Sequence, residues 1–359
     1  MLRRTFVFTV WLGFALALCS SAALAQYQIT NLDSNQVGKA SHDDPLIVNA
    51  WGLVHGPGTA WWLSDNSSGW STLYDGTGKP ITGLRVVVPT AGNGPDSGKG
   101  LNGPGSPTGI VYNATSAQNG AQEFQVQGWS SIFLFATLDG TISGWSPISN
   151  FNQAILAVDN SANKSVYTGL AITNRPKGNL LYAADLANGK VDMFDANFKL
   201  VKSFTDAMLL SGFAPFGIRD INGIVYVAYA SVSGGNGGFV VQFREDGTPV
   251  SPGKPLISGL PLNQPWGIAG APRNFGPLSN TLLISNNTNF GTINAFDPFT
   301  GQLVGSVKDS TGNAIRIDQL WGIDFGDGLG NNGAATQLFF AAGPNNNLAG
   351  TFGVIKFEP

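Results

Sequence analysis

The chain has 359 residues, 19 Lys and Arg against 22 Asp and Glu, and a formal charge of −3, with only 11% of residues charged. That balance, without any basic cluster, excludes nucleic acid and anionic membrane surfaces as partners. A single cysteine, Cys19, excludes a disulfide framework and thiolate metal sites.

The first stretch, "MLRRTFVFTVWLGFALALCSSAALA", has a basic start at Arg3 and Arg4, a short apolar run and a small-residue close. It reads as a signal peptide over residues 1–25, cleaved after Ala25, which also removes Cys19. The expectation is an exported protein, periplasmic or extracellular, with no membrane span after cleavage. Residues 26–359 are then one domain, expected to be a monomer, and they are numerous enough to hold a core without disulfides.

From Tyr27 onward the chain is a series of short β-rich runs separated by Gly, Asn, Asp and Pro, with 48 glycines and 20 prolines in all. This is the punctuation of an antiparallel all-β protein. After "YQITNL" at Tyr27–Leu32, blade one is read as "WGLVH", "AWWLSD", "STLYD" and "LRVVVP". A long loop, "GPDSGKGLNGPGSP" at Gly94–Pro107, follows no phosphate-loop spacing and reads as a connection or lid. Blade two is "TGIVYN", "SIFLFAT", "GTISGWS" and "AILAVD". Blade three gives strands at Gly169–Thr173, Leu180–Ala184, Lys190–Phe194 and Lys199–Phe204. Blade four is "FGIRDI", "IVYVAYA", "GFVVQF" and "KPLISG"; blade five is "WGIAG", "TLLISN", "GTINAFD" and "QLVGSV". Blade six offers only "WGIDFG", "QLFFAAG" and "FGVIKFEP", so its fourth strand is expected from "YQITNL" at the other end of the chain. Such pairing closes a six-bladed β-propeller and leaves no open edge.

Each blade opens on one recurring glycine: Gly52, Gly109, Gly169, Gly217, Gly267 and Gly322, separated by 48 to 60 residues. A period of this length suits one propeller blade per repeat. Glycine there permits close backbone approach where the sheets converge. The preceding residues, Trp51, Thr108, Thr168, Phe216, Trp266 and Trp321, have two open roles. They wedge between blades as core, or they line a central funnel and contact a ligand.

At these residues the chain resembles the NHL-type six-bladed propellers, in "YTGLAI…LYAADLANGKVDMFD" and "QPWGIAG…LLISNNTNFGTINAFD". More closely, through "VNAWGL", "STLYDGTGKP", "FATLDGTISGW", "GFAPFGI", "QLWGIDFGDG" and "FFAAGPNNNLAGTFG", it is similar to a family of exported bacterial proteins of uncharacterised activity. Some members of that family carry a PEP-CTERM sorting tail. The resemblance implies fold and export, and supplies no reaction. A further resemblance, to the calcium-dependent phosphotriesterases and lactonases, implies oxygen ligands just before the innermost-strand glycine. Here those positions hold Trp, Thr and Phe, without any carboxylate or amide.

No cofactor is therefore expected, and the leading expectation is an exported, non-catalytic propeller that binds a ligand or partner at one face. A glycan or cell-envelope component is the first class to consider, since Trp faces suit sugar rings. The competing expectation is a calcium-dependent ester or lactone hydrolase with a rearranged site, whose oxygen ligands would be Asp65, Asp185 and Asn286 at the ends of second strands. Those three also fit a plainer role, bonding turn backbone as Asx side chains do. The Asn-rich loops "SNNTNFG" and "GPNNNLAG" are read either as calcium-coordinating or as exposed turns. Only His42 and His55 are available as imidazoles, too few for a histidine zinc centre.

Overall fold

The computed structural model describes residues 26–92, 104–118, 120, 122–206 and 211–359. The leader at 1–25 and most of the Gly94–Pro107 loop lie outside the described residues. Five sheets of four strands and one of five form the blades of a six-bladed β-propeller. The innermost strands are Ala50–Val54, Pro107–Tyr112, Tyr167–Ile172, Phe213–Ile221, Pro265–Gly270 and Leu320–Phe325. Each blade then meanders outward. The fourth strands of blades one and four shrink to Val86–Val87 and Ile257–Ser258. Pro89 and Pro255 flank them and cannot donate to a ladder.

Closure is as the strand count predicts. Gln26–Ser34 pairs antiparallel with Thr351–Glu358, from Gln26 opposite Glu358 to Ser34 opposite Thr351, with one bulge between Asn31 and Asp33. A two-residue strand, His42–Asp43, adds a parallel fifth member outside it.

Packing follows the ring. Six buried hydrophobic clusters correspond to the six blade-to-blade interfaces, and each contains the residue after one repeated glycine: Leu53, Ile110, Leu170, Ile218, Ile268 or Ile323. The glycines lie against the backbone of the next blade's innermost strand. A methyl group on Gly217 would come within 1.9 Å of the Trp266 carbonyl oxygen. One on Gly322 would come within 2.7 Å of the Trp51 carbonyl oxygen, where the sixth blade meets the first. Because the opposing atoms are backbone, no side-chain movement relieves the clash. Glycine is required by proximity.

At the closure seam three acidic residues, Asp33, Asp44 and Asp65, are buried. Arg85 donates to Asp44 Oδ2 at 3.0 Å, and the Asp44 amide donates to Asp33 Oδ1 at 2.9 Å. Asp33 Oδ2 and Asp65 Oδ1 have no donor. Burial, reinforced by the charge of Asp44, pushes the Asp33 carboxyl up to about 7; burial also raises Asp65 well above the carboxylate range. The native state therefore holds protons that the unfolded chain releases above about pH 3.8. Their stabilising effect is complete below that value and is lost as pH rises towards 7. Tm should fall by roughly 5 °C between pH 5 and pH 8. Asp33→Asn should flatten that slope in a melting series, and an unchanged slope would remove Asp33 as its cause.

Candidate functional site

The residue before each glycine is turned out of the strand's alternation by a register shift. The shift falls between Ala50 and Leu53 in blade one, Pro215 and Gly217 in blade four, Pro265 and Ile268 in blade five, and Leu320 and Ile323 in blade six. Such bulges re-aim side chains, here towards the axis. In the three Trp blades a residue with positive φ comes two positions earlier: Asn49 at 53°, Gln264 at 51° and Gln319 at 48°. The local signature is Asn/Gln-x-Trp-Gly.

Trp51, Phe216, Trp266 and Trp321 meet as one cluster, only 6, 9, 8 and 3% exposed. Trp51 stacks on Trp321 with centroids 3.6 Å apart, while Trp266 meets both edge-on at 6.2 and 5.8 Å. The space for these rings comes from the opposite arc, where blades two and three carry threonine. Thr108 and Thr168 lie flat, donating to the Tyr167 and Phe216 carbonyls of the following blade at 2.7 and 2.8 Å. Trp266 Nε1 reaches across the ring to the Thr168 carbonyl at 2.9 Å, and Trp321 Nε1 donates to Asn49 Oδ1 at 3.1 Å. The four aromatic residues form a plug that closes the axis at the end where the innermost strands begin.

Beyond the plug the axis is open. A cavity of about 210 Å³ is lined by five of the repeated glycines, by Trp266 at its inner end and by the later residues of the innermost strands. Two charged side chains line it, Arg219 and Asp220, both from blade four. Arg219 Nη2 spans to Asp324 Oδ2 of blade six at 2.6 Å, and the Phe325 amide holds the other Asp324 oxygen at 2.9 Å. Burial, with the charge of Glu245 adding to it, pushes Asp220 up to about 6; its Oδ2 has no partner. A perturbed carboxyl beside a cavity is a recurrent feature of functional sites.

The proposed oxygen ligands are not brought together as a metal set. Asp65 takes the Thr72 hydroxyl at 2.6 Å. Asp185 accepts the Val166 and Asn188 amides, and Asn286 accepts the Asn263 amide while donating to the Pro261 carbonyl. These are the local turn bonds of the plainer reading. No cluster of three or more His, Cys, Asp or Glu among the described residues could hold a metal. The six positions that carry the metal in the lactonase resemblance form the plug and its threonine arc, so the donor set does not fit calcium.

The sequence reading passed over Arg219, Asp220 and Asp324. Two residues after each glycine the chain reads Val54, Val111, Ala171, Arg219, Ala269 and Asp324. The only charges in that column are opposite in sign, and they are the pair that meets across the axis.

No protein-family model matches the chain. It is 29% identical over 355 residues to an uncharacterised protein of Acanthamoeba polyphaga mimivirus, covering 93% of this chain and 81% of that one. A second uncharacterised protein of the same virus is 27% identical over 319 residues, covering 84% and 79%. These relatives are viral, whereas the sequence resemblance pointed to exported bacterial proteins. Among solved structures, a protein of unknown function from Bacteroides thetaiotaomicron aligns at TM-score 0.54 and 11% identity, covering 92% of this chain and 76% of that one. That likeness shows the fold alone. A streptogramin B lyase aligns at TM-score 0.47 and 12% identity over 94% of this chain and 100% of its own, and nothing of its chemistry transfers at that distance.

Proposed function

We propose that this chain is an exported, non-catalytic binding scaffold whose axial cavity takes a small ligand. The observation that carries the reading is the plug: it turns a through-channel into a blind pocket with charge on its wall. Rigid sheets hold that wall, as binding sites on propellers require. The ligand would present a carboxylate or similar oxyanion, because Arg219 is the one cationic side chain lining the cavity. The Arg219 side chain is 36% exposed. An ion pair this accessible contributes little to stability, so a ligand can replace Asp324 at low cost. The glycan expectation leaned on tryptophan faces; at the plug those faces are covered by neighbouring rings.

The test is thermal-shift screening of small carboxylates, followed by titration monitored through tryptophan fluorescence, since Trp266 ends the cavity. Hits should bind Arg219→Ala at least about tenfold more weakly, a loss on the scale of one charge-assisted hydrogen bond. Full affinity in that variant would remove the assignment. Export rests on the leader reading, and the secreted fraction should begin at Gln26; retention of an uncleaved chain in the cytoplasm would end that part.

A further inference from the structure

A second site lies at the plug end of the disc, between blades five and six, and it does not depend on the axial-cavity reading. Three connections build it: residues 287–292 of blade five, residues 316–319 leading into blade six, and the turn Pro344–Asn347. All three adjoin the end at which the innermost strands begin. The cleft between them measures about 510 Å³ and adjoins another of about 310 Å³, with Arg316 and Asp318 lining both.

Four features of this cleft have no role in holding the fold. Phe290 is 67% exposed, and the Arg316 guanidinium lies 5.6 Å over its ring. Among the described residues no carboxylate comes within ion-pair distance of Arg316. Asp318 holds the Asn345 amide through Oδ2 at 2.9 Å, while its Oδ1, at the cleft floor, has no donor. Asn345, Asn346 and Asn347 are three consecutive left-handed residues, with φ of 58°, 55° and 64°. Backbone held this way costs free energy, and such strain gathers at ligand-binding positions. Here it brings the side chains of Asn345 and Asn346 to the cleft.

The chemistry is that of one flat apolar face ringed by donors and acceptors. A protein partner would need a wider apolar area than a single phenyl ring. A nucleobase would find no second aromatic surface and no basic track for its phosphates. A sugar ring satisfies all the groups together: its C–H face covers Phe290 and its hydroxyls both donate and accept. The charge narrows the class further. Arg316 and, in the adjoining pocket, Lys39 outnumber Asp318, on a chain that is negative overall.

We propose that the cleft binds a saccharide containing uronic acid. The ring lies on Phe290, its carboxylate meets Arg316, and its hydroxyls engage Asp318 and the amides of Asn345 and Asn346. Calorimetric titration of the full chain with a galacturonic acid trimer and with its neutral galactose counterpart tests this. The acidic trimer should bind and the neutral one should bind at least about tenfold more weakly. Arg316→Ala should remove most of that difference, and Phe290→Ala should weaken the acidic trimer about tenfold. Both side chains are exposed, so circular dichroism should show the fold intact. Phe299→Ala, at a ring 89% exposed elsewhere on blade five, should bind as the parent does. Equal affinity for the two trimers overturns the uronate assignment. Unchanged binding in both Phe290→Ala and Arg316→Ala overturns the location. Absence of heat with either trimer up to millimolar concentration overturns the proposal.

Discussion

Removing Gln26–Asn35 should leave a chain that aggregates and shows no cooperative melting transition. The segment is a full strand of blade six, laddered to Thr351–Glu358 over its length. It also serves both neighbouring interfaces. Tyr27 packs into the cluster between blades five and six, where its hydroxyl donates to the Phe275 carbonyl at 2.8 Å and its amide to the Lys308 carbonyl at 2.9 Å. Leu32 packs into the cluster between blades six and one. The Ser34 hydroxyl donates to the Gly350 carbonyl at 2.7 Å. Deletion exposes the edge of Thr351–Glu358 and opens two apolar interfaces at once. Termini ordinarily tolerate trimming; this one should not. Size-exclusion chromatography with calorimetric melting decides it, and a truncated chain that melts within a few degrees of the parent would disprove ring closure by this strand.

Trp321→Ala should cost about 4 kcal/mol, the range for a large buried aromatic whose site cannot collapse. Trp321 is the centre of the plug: it stacks on Trp51, touches Trp266 and Phe216, and donates to Asn49. Six sheets fix the surrounding backbone, so the void persists. Urea denaturation measures the loss. A change below about 1 kcal/mol would mean that the rings are a loosely held lining of the channel.

The repeated glycine, the blade order and the borrowed strand were all legible in the sequence because each is local or periodic. Lys190–Phe194 is a strand with the predicted bounds. The role of Trp51, Trp266 and Trp321 was not legible. Whether a residue before the glycine wedges between sheets or meets its counterparts on the axis depends on one-residue bulges, which leave no mark in the alternation of hydrophobic and polar residues. Arg219 and Asp324 are 105 positions apart, and only a column-by-column comparison of blades makes them neighbours. The left-handed Asn345–Asn347 turn was visible as "PNNNL", since asparagine tolerates positive φ. Its meeting with Phe290 and Arg316 required the ring.

The threonine arc has a consequence for any attempt to idealise this protein. A chain made of six copies of blade five would place six indoles on an axis that four aromatic rings already fill. The blades therefore cannot converge on one consensus. Small residues at positions 108 and 168 are what let large ones at 51, 266 and 321 exist, and exchanging Thr168 for Trp should be tolerated only if a partner opposite shrinks. Divergence among the repeats is here a packing requirement, distributed around a circle as unequal shares of one fixed volume.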